Sequence, residues 1–295
     1  MNDFYKPFEE RTPDSQYRDR VKFILDNGEL VKDTPQGIGA LTCFGTLPQM
    51  IFDLSNGAPL ITDRKIGFWR KPVVEILSFM SGVRSIQKLR EAGCDYWKDY
   101  IGKGVKLGLD PDDLGPGSYG GAFHDFPRPE GGALNQYAQL LGQIKNRPDL
   151  RTHLITPWIP FYTARGPDKK VVVVPCHGWQ QYRIIGDRID LVMWQRSADF
   201  PIGVPSNMIQ YAAVLLMVAR ATGFRPGRFI HQFGDAHIYA DQIDHMKELV
   251  EREPRILPTL RLSEEANSFF DTTISDFSIA DYDPHPAMPG IPYRP

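Results

Sequence analysis

The sequence predicts a mixed-sheet α/β (or α+β) single domain, and three observations carry that prediction. Strand-like and helix-like apolar patterns are interleaved along all 295 residues without the regular alternation of a doubly wound sheet. The β runs WQQYRII and IDLVMWQRS are separated only by Gly186-Asp187, which marks a hairpin. The 26 glycines and 25 prolines are spread through the chain, so loops are many and none stands out as an interdomain linker.

In chain order, a polar arm (1–14) precedes a helix over Ser15–Asn27 with Val21, Ile24 and Leu25 on one face. From Gly39 to Thr62 the pattern turns to β: LTCFG, MIFDL, a Ser55-Asn56-Gly57 turn, then PLIT. Pro72 suits the first turn of a helix carrying Val73, Val74, Ile76, Leu77 and Met80, with Gly82 near its end. Residues 98–132 are loop-rich and include DLGPGSYGGAF, and Ala133–Asn146 is an amphipathic helix. Three β runs follow: HLITPW, VVVVPC leading into WQQYRII, and IDLVMWQRS. Pro205-Ser206 opens an apolar helix that stops at Gly223, with Ser206 as its N-cap. A strand through GRFIHQF, a helix from about Ala240 to Arg252 and short C-terminal strands complete the chain.

Composition narrows the function. With 42% hydrophobic and 24% charged residues, the chain is an ordinary globular protein able to bury a sizeable core unaided. A net charge of −2 supplies no basic field for a nucleic-acid polymer or an anionic membrane. Cys43, Cys94 and Cys176 are odd in number and far apart, against a disulfide framework or structural zinc. The start is too polar for a signal peptide, and the longest apolar run, Tyr211–Ala219, falls short of the ~20 residues of a membrane span. A soluble cytoplasmic protein is expected.

Three clusters could do chemistry. Cys176 follows Pro175, which breaks a strand and can leave the thiol at its end, although a small buried hydrophobe is an equally good reading. His177 is a poor base for it, because neighbours on a strand point to opposite faces. Gln195-Arg196-Ser197 ends a β run just before a tight turn and a helix start. Guanidinium, hydroxyl and helix N-terminus there would seat a phosphate, and a cation near Cys176 would favour its thiolate. Asn207, at that helix start, either caps it or reads an amide edge with its donor and acceptor. In HQFGDAHIY, Asp235, His237 and Tyr239 share one face of an extended segment, suited to a sugar hydroxyl or to the wet side of an edge strand. Its histidines lack the spacing of metal ligands, so no metal is expected.

Taken together, these clusters resemble the thymidylate synthase family, which includes the pyrimidine nucleotide hydroxymethylases. The matching motifs are Pro175-Cys176-His177 with Gln181, QRSAD (Gln195–Asp199), Gly203-x-Pro205-x-Asn207, GDAHIY (Gly234–Tyr239) and YDPHP (Tyr282–Pro286). They stand in family order, and weaker similarity reaches back to GIGALTCFG at residue 37, covering most of the chain.

The resemblance implies one thymidylate synthase-like domain over 1–295 with a tail or lid at 287–295. It also implies a sheet-to-sheet homodimer and 5,10-methylenetetrahydrofolate as one-carbon donor. Cys176 looks like the nucleophile, Glu75 like the catalytic glutamate, and Asn207 like the reader of the pyrimidine edge. Arg196, Ser197 and Gln181 resemble substrate ligands, with Arg151 the arginine lent across the dimer and His237 and Tyr239 the ligands of the sugar 3′-hydroxyl. Asp199, Trp97 and Gly203 resemble folate-side residues, and Tyr119 an active-site aromatic. Thiolate addition at C6 would make C5 a nucleophile, with Asn207 stabilising ring charge and Glu75 moving protons.

The chain departs from the family pattern at several places. Thr34-Pro35-Gln36-Gly37 stands where an early phosphate arginine is usual, and Arg151 is followed by Thr152 instead of forming an arginine pair. Ser206 replaces a phenylalanine, Asp241-Gln242 an Asn-His pair, GGAFHDF a Trp-Arg region, and GIPYRP the usual tail. These changes fall on the phosphate, folate and reduction sides and leave Cys176, Arg196, Asn207 and Glu75 in place. The expected substrate is dUMP, with hydroxymethylation favoured by the altered folate side. A true thymidylate synthase making dTMP and dihydrofolate, and a non-catalytic nucleotide-binding homologue, are the alternatives.

Overall fold

The computed structural model describes residues 4–164, 166–266 and 268–294. Helix α1 (Gln16–Asn27) buries Tyr17, Val21 and Ile24, and the short strands β1 (Glu29–Val31), β2 (Ala40–Phe44) and β3 (Met50–Asp53) follow. Helices α2 (Arg70–Met80), α3 (Ile86–Glu91) and α4 (Tyr119–His124) precede a two-residue ladder of β4 (Phe126–Pro127) and β5 (Ala133–Leu134). Then come α5 (Gln136–Asn146), β6 (Leu154–Ile155), α6 (Pro160–Thr163), β7 (Trp179–Ile185) and β8 (Arg188–Asp199). The long helix α7 (Gly203–Thr222), strand β9 (Arg225–Tyr239), α8 (Ile243–Val250) and a small pair of β10 (Thr259–Leu262) with β11 (Phe277–Ala280) finish the chain.

Strand β9 organises the sheet. Its fifteen residues pair with β8 along one edge, and with β3 and then β2 along the other. The order is β1-β2-β9-β8-β7-β6, with β3 also on β9; β8 and β9 are parallel and the other pairings antiparallel. The sheet is therefore mixed, as expected. Its one parallel pair is joined through α7, the only connection among these pairings that must cross over a face.

α7 is apolar on nearly all sides, as a helix buried all round must be. The sheet side chains Leu191, Met193, Phe229 and Phe233 are buried with it in one continuous core. The opposite face of the sheet is open: Phe44, Ile51, Leu154 and Trp194 are exposed. No helix among the described residues is long and apolar enough to cross a membrane.

Several elements differ from the sequence reading. PLIT is buried but joins no strand. VVVV is irregular as well: Val172 N–H bonds to Leu114 O, a loop carbonyl, and regular pairing starts only at Trp179. HLITPW contributes two residues of strand, and the segment read as a helix from Ala133 begins at Gln136, capped by Asn135. α7 starts at Gly203, so Ser206 is not its N-cap; Pro205 fits the first turn because no helical partner is required there. A short helix, α4, lies inside the glycine-rich stretch read as loop. β9 continues past Gly234 through GDAHIY, well beyond GRFIHQF.

Candidate active site

Cys176 sits in the turn before β7, and its peptide groups are held from two sides. The Tyr119 hydroxyl, at the start of α4, accepts the Cys176 N–H at 2.7 Å and the His177 N–H at 3.3 Å. The Cys176 carbonyl accepts the N–H groups of Arg196 (2.7 Å) and Ser197 (3.3 Å) on β8. Gly178 permits the turn: its φ is +101°, and a Cβ there would lie 2.9 Å from the Tyr211 hydroxyl. Cys176 lies before a strand, not on one, so opposite-facing neighbours are not what keeps His177 from acting as its base. His177 is buried, stacks on Tyr119 at 4.5 Å and shares a 2.7 Å hydrogen bond with the Tyr211 hydroxyl. Burial pushes its pKa down to about 3, so it stays neutral.

The Arg196 side chain folds back over the same turn. Its Nε donates to Pro175 O at 3.1 Å, and its Nη2 reaches Val174 O at 3.3 Å and Cys176 Sγ at 3.4 Å. The thiol thus has a cation in contact. Burial raises its pKa, and Arg196 works against that rise.

Glu75 and Asn207 meet in one buried chain of hydrogen bonds. Trp97 Nε1 donates to Glu75 Oε1 at 2.6 Å, and Gln210 Nε2 donates to Glu75 Oε2 at 2.6 Å and to Pro72 O at 3.0 Å. Asn207 Nδ2 donates to Gln210 Oε1 at 2.8 Å, and Gln195 Nε2 donates to Asn207 Oδ1 at 2.9 Å and to Ser197 O at 3.0 Å. His231 Nε2 and Gln195 Oε1 are 2.8 Å apart, which makes Nε2 the donor of a neutral ring. Burial raises the Glu75 carboxyl to about 7, while the two donors work the other way. Asn207 is therefore not a cap; it is the fifth residue of α7, tied into the floor of the site.

The parallel register brings the β9 residues alongside. Ser197 pairs with Asp235 and Asp199 with His237, so the HIY row runs beside QRSAD. His237 and Tyr239 are buried, their rings 4.9 Å apart, with His237 Nδ1 3.4 Å from Asp235 Oδ1. Asp199 accepts from Ile202 N–H at 3.3 Å at the start of α7, next to Gly203, and burial raises its carboxyl to about 6. Trp97 packs on Phe79 and on Tyr100, ring centroids 5.9 and 5.4 Å away.

Two expected ligands stand apart. Gln181 lies on the open face of the sheet, where its amide donates to Arg151 O at 3.0 Å, and Arg151 itself is exposed. Within one chain neither is brought to the cysteine. Sequence reasoning named Gln195 and His231 only as members of the QRS and HQFGDAHIY clusters and did not single out Gln210. The one available signal was the three-residue spacing of Gln210 from Asn207, which puts both on one helix face. Among the described residues no three of His, Cys, Asp and Glu converge on a point that could hold a metal.

The cluster gathers a thiol beside a guanidinium, an aromatic wall, a carboxyl titrating near neutrality and a fixed amide. A family model described as thymidylate synthase matches residues 15–291, nearly the whole chain. The chain belongs to the thymidylate synthase family.

Proposed function

We propose that the chain transfers a one-carbon unit to C5 of dUMP through addition of the Cys176 thiolate at C6, and releases 5-hydroxymethyl-dUMP. Folate-dependent one-carbon transfer at C5 of dUMP is the general reaction of the family to which it belongs. The observation that carries the reading is that the Arg196–Cys176 contact and the Glu75–Gln210–Asn207–Gln195 chain meet on β8, where Gln195 and Arg196 are consecutive.

In this reading Arg196 stabilises the thiolate as it forms, and C6 addition turns C5 into an enolate-like nucleophile. Glu75, poised near neutrality, takes and returns protons at C5. Arg196 and Ser197 hold the phosphate with Arg151 of a second copy, and His237 and Tyr239 hold the 3′-hydroxyl. The Trp97–Tyr100 wall and the Asp199 carboxyl suit a flat, amide-edged pterin. Methylenetetrahydrofolate, when bound there, supplies the one-carbon unit and, for a methyl product, the hydride as well. The open sheet face supports a sheet-to-sheet homodimer, because the large apolar side chains Phe44, Ile51, Leu154 and Trp194 exposed on it gain from burial against a second copy.

The amide network supports uracil. Pro72 O and Ser197 O can only accept, which fixes the NH₂ groups of Gln210 and Gln195 and, through them, both ends of Asn207. One Asn207 N–H and one lone pair are left over in fixed order, matching O4 and N3–H of uracil. Turning the amide for cytosine would set NH₂ against NH₂ at Gln195 and oxygen against oxygen at Gln210. Asn207→Asp is therefore expected to lower dUMP turnover at least ~100-fold and to shift preference toward dCMP. Competition turnover with both nucleotides checks this; a wild-type preference for dCMP would overturn the base assignment.

The hydroxymethyl product is supported by polar replacements on the folate side, including Ser206 beside the Tyr96 hydroxyl. Trp97, still bonded to Glu75, favours the methyl alternative by shielding the site. Product mass decides, since the two differ by one oxygen. Stoichiometric dihydrofolate with dTMP would make the chain a thymidylate synthase proper.

A further inference from the structure

Two stretches that depart from the family pattern, Asp241-Gln242 and the C-terminal tail, are bonded to each other. Gln242 Nε2 donates to Pro292 O at 2.9 Å and lies 3.4 Å from Asp199 Oδ1, while its Oε1 accepts Tyr239 N–H at 2.9 Å. Asp241 and Arg294 form an ion pair. The tail is thus latched against the two residues read as sugar-side and folate-side ligands. Tyr293, between the two latch points, brings its hydroxyl near that of Tyr100. The Tyr100 ring packs on Trp97, whose indole N–H is held by Glu75.

We propose that Tyr293, clamped by Asp241–Arg294 and Gln242–Pro292, is the product-determining positioning residue, and that with Tyr100 it holds the water that becomes the hydroxyl of the product. This rests on the hydroxymethyl reading above and names the groups that would perform it. Two neighbouring phenols offer hydroxyl protons and lone pairs, enough to hold a water between them by two bonds. They are the polar end of a wall otherwise made of Trp97, Phe79 and Tyr119. Tyr293 is 51% exposed, so water reaches it freely.

The step balances without an oxidant. The water oxygen bonds to the exocyclic methylene on C5, the C5–methylene π pair moves into the ring as a C4 enolate, and the water proton passes to Glu75. The enolate then collapses, restores the C5–C6 double bond and expels the Cys176 thiolate from C6.

The test uses full-length protein, dUMP tritiated at C5 and methylenetetrahydrofolate, and counts hydroxymethyl nucleotide per C5 hydrogen released. Tyr293→Phe and Asp241→Asn are each expected to lower that ratio at least ~5-fold, with dTMP and dihydrofolate taking up the difference. The swap of Asp241→Arg with Arg294→Asp, which re-forms the ion pair, is expected to restore it. An unchanged ratio in Tyr293→Phe would overturn the proposal, as would equal loss of release and product, which marks a merely structural role. Wild-type protein that releases tritium but yields only dTMP overturns it while leaving one-carbon transfer intact. Wild-type protein that binds dUMP and releases no tritium overturns the functional reading itself.

Discussion

Cys176→Ser is expected to lose product formation by on the order of 10⁴-fold or more while folding normally. An alcohol beside Arg196 is far harder to ionise than the thiol, whose anion the guanidinium 3.4 Å away favours against the upward push of burial. The turn does not depend on sulfur, because its anchors are the peptide groups bonded to Tyr119, Arg196 and Ser197. The melting temperature should therefore move by only about 2 °C, since no core volume is lost. Nucleotide binding should persist, because most of the proposed ligands, Ser197, Asn207, His237 and Tyr239, do not depend on the sulfur. A serine variant that retains activity would remove Cys176 from the chemistry.

Glu75→Gln should cost about 10²–10⁴-fold in turnover, the usual weight of a positioned acid–base. It also carries a stability signature. The folded carboxyl titrates at about 7 against 4.5 for the unfolded group, so the folded state keeps a proton that the unfolded chain releases between those values. The stability this contributes is fully present below pH 4.5 and is lost as pH rises through 7. The loss is about 3 kcal/mol at 1.36 kcal/mol per unit. Glutamine cannot titrate, so the variant should lack this part of the slope. Asp63 and Asp199, each raised by burial to about 6, add their own slope to both proteins and cancel in the difference. Denaturant unfolding of both proteins at pH 5 and pH 8 checks the sign. Parallel pH dependence in wild type and variant would mean that Glu75 is ionised in the folded protein at both.

The hairpin of β7 and β8 was legible because Gly186-Asp187 left no other reading, and α7 because its apolar run ended at glycine. The strand expected through GRFIHQF continues as β9 across Gly234. The glycine's place in the strand comes from close backbone approach, since a Cβ there would lie 2.9 Å from Arg196 O. VVVV shows the reverse error: strong β propensity yields where the Val172 N–H finds a loop carbonyl, Leu114 O. Cys176, Arg196 and Asn207 were visible as motif residues, and what brings them to β8 is the Cys176 carbonyl bonded to Arg196 and Ser197 there and the Gln195 amide bonded to Asn207 on α7. Gln210 and the contacts that Gln195 and His231 make were not visible, because buried polar side chains within apolar runs carry no periodic signal. Their role emerges only when three elements close on Asn207. The coupling of Asp241 to Arg294 spans too much of the chain for any local pattern to reveal.

The most direct test of the account is release of tritium from dUMP labelled at C5, with methylenetetrahydrofolate present and the nucleotide shown to be bound. The Cys176, Arg196 and Glu75 geometry predicts release in proportion to product formed, dependent on the folate and absent in Cys176→Ser. Bound nucleotide with no release above the serine variant would contradict it and leave a nucleotide-binding protein in place of an enzyme.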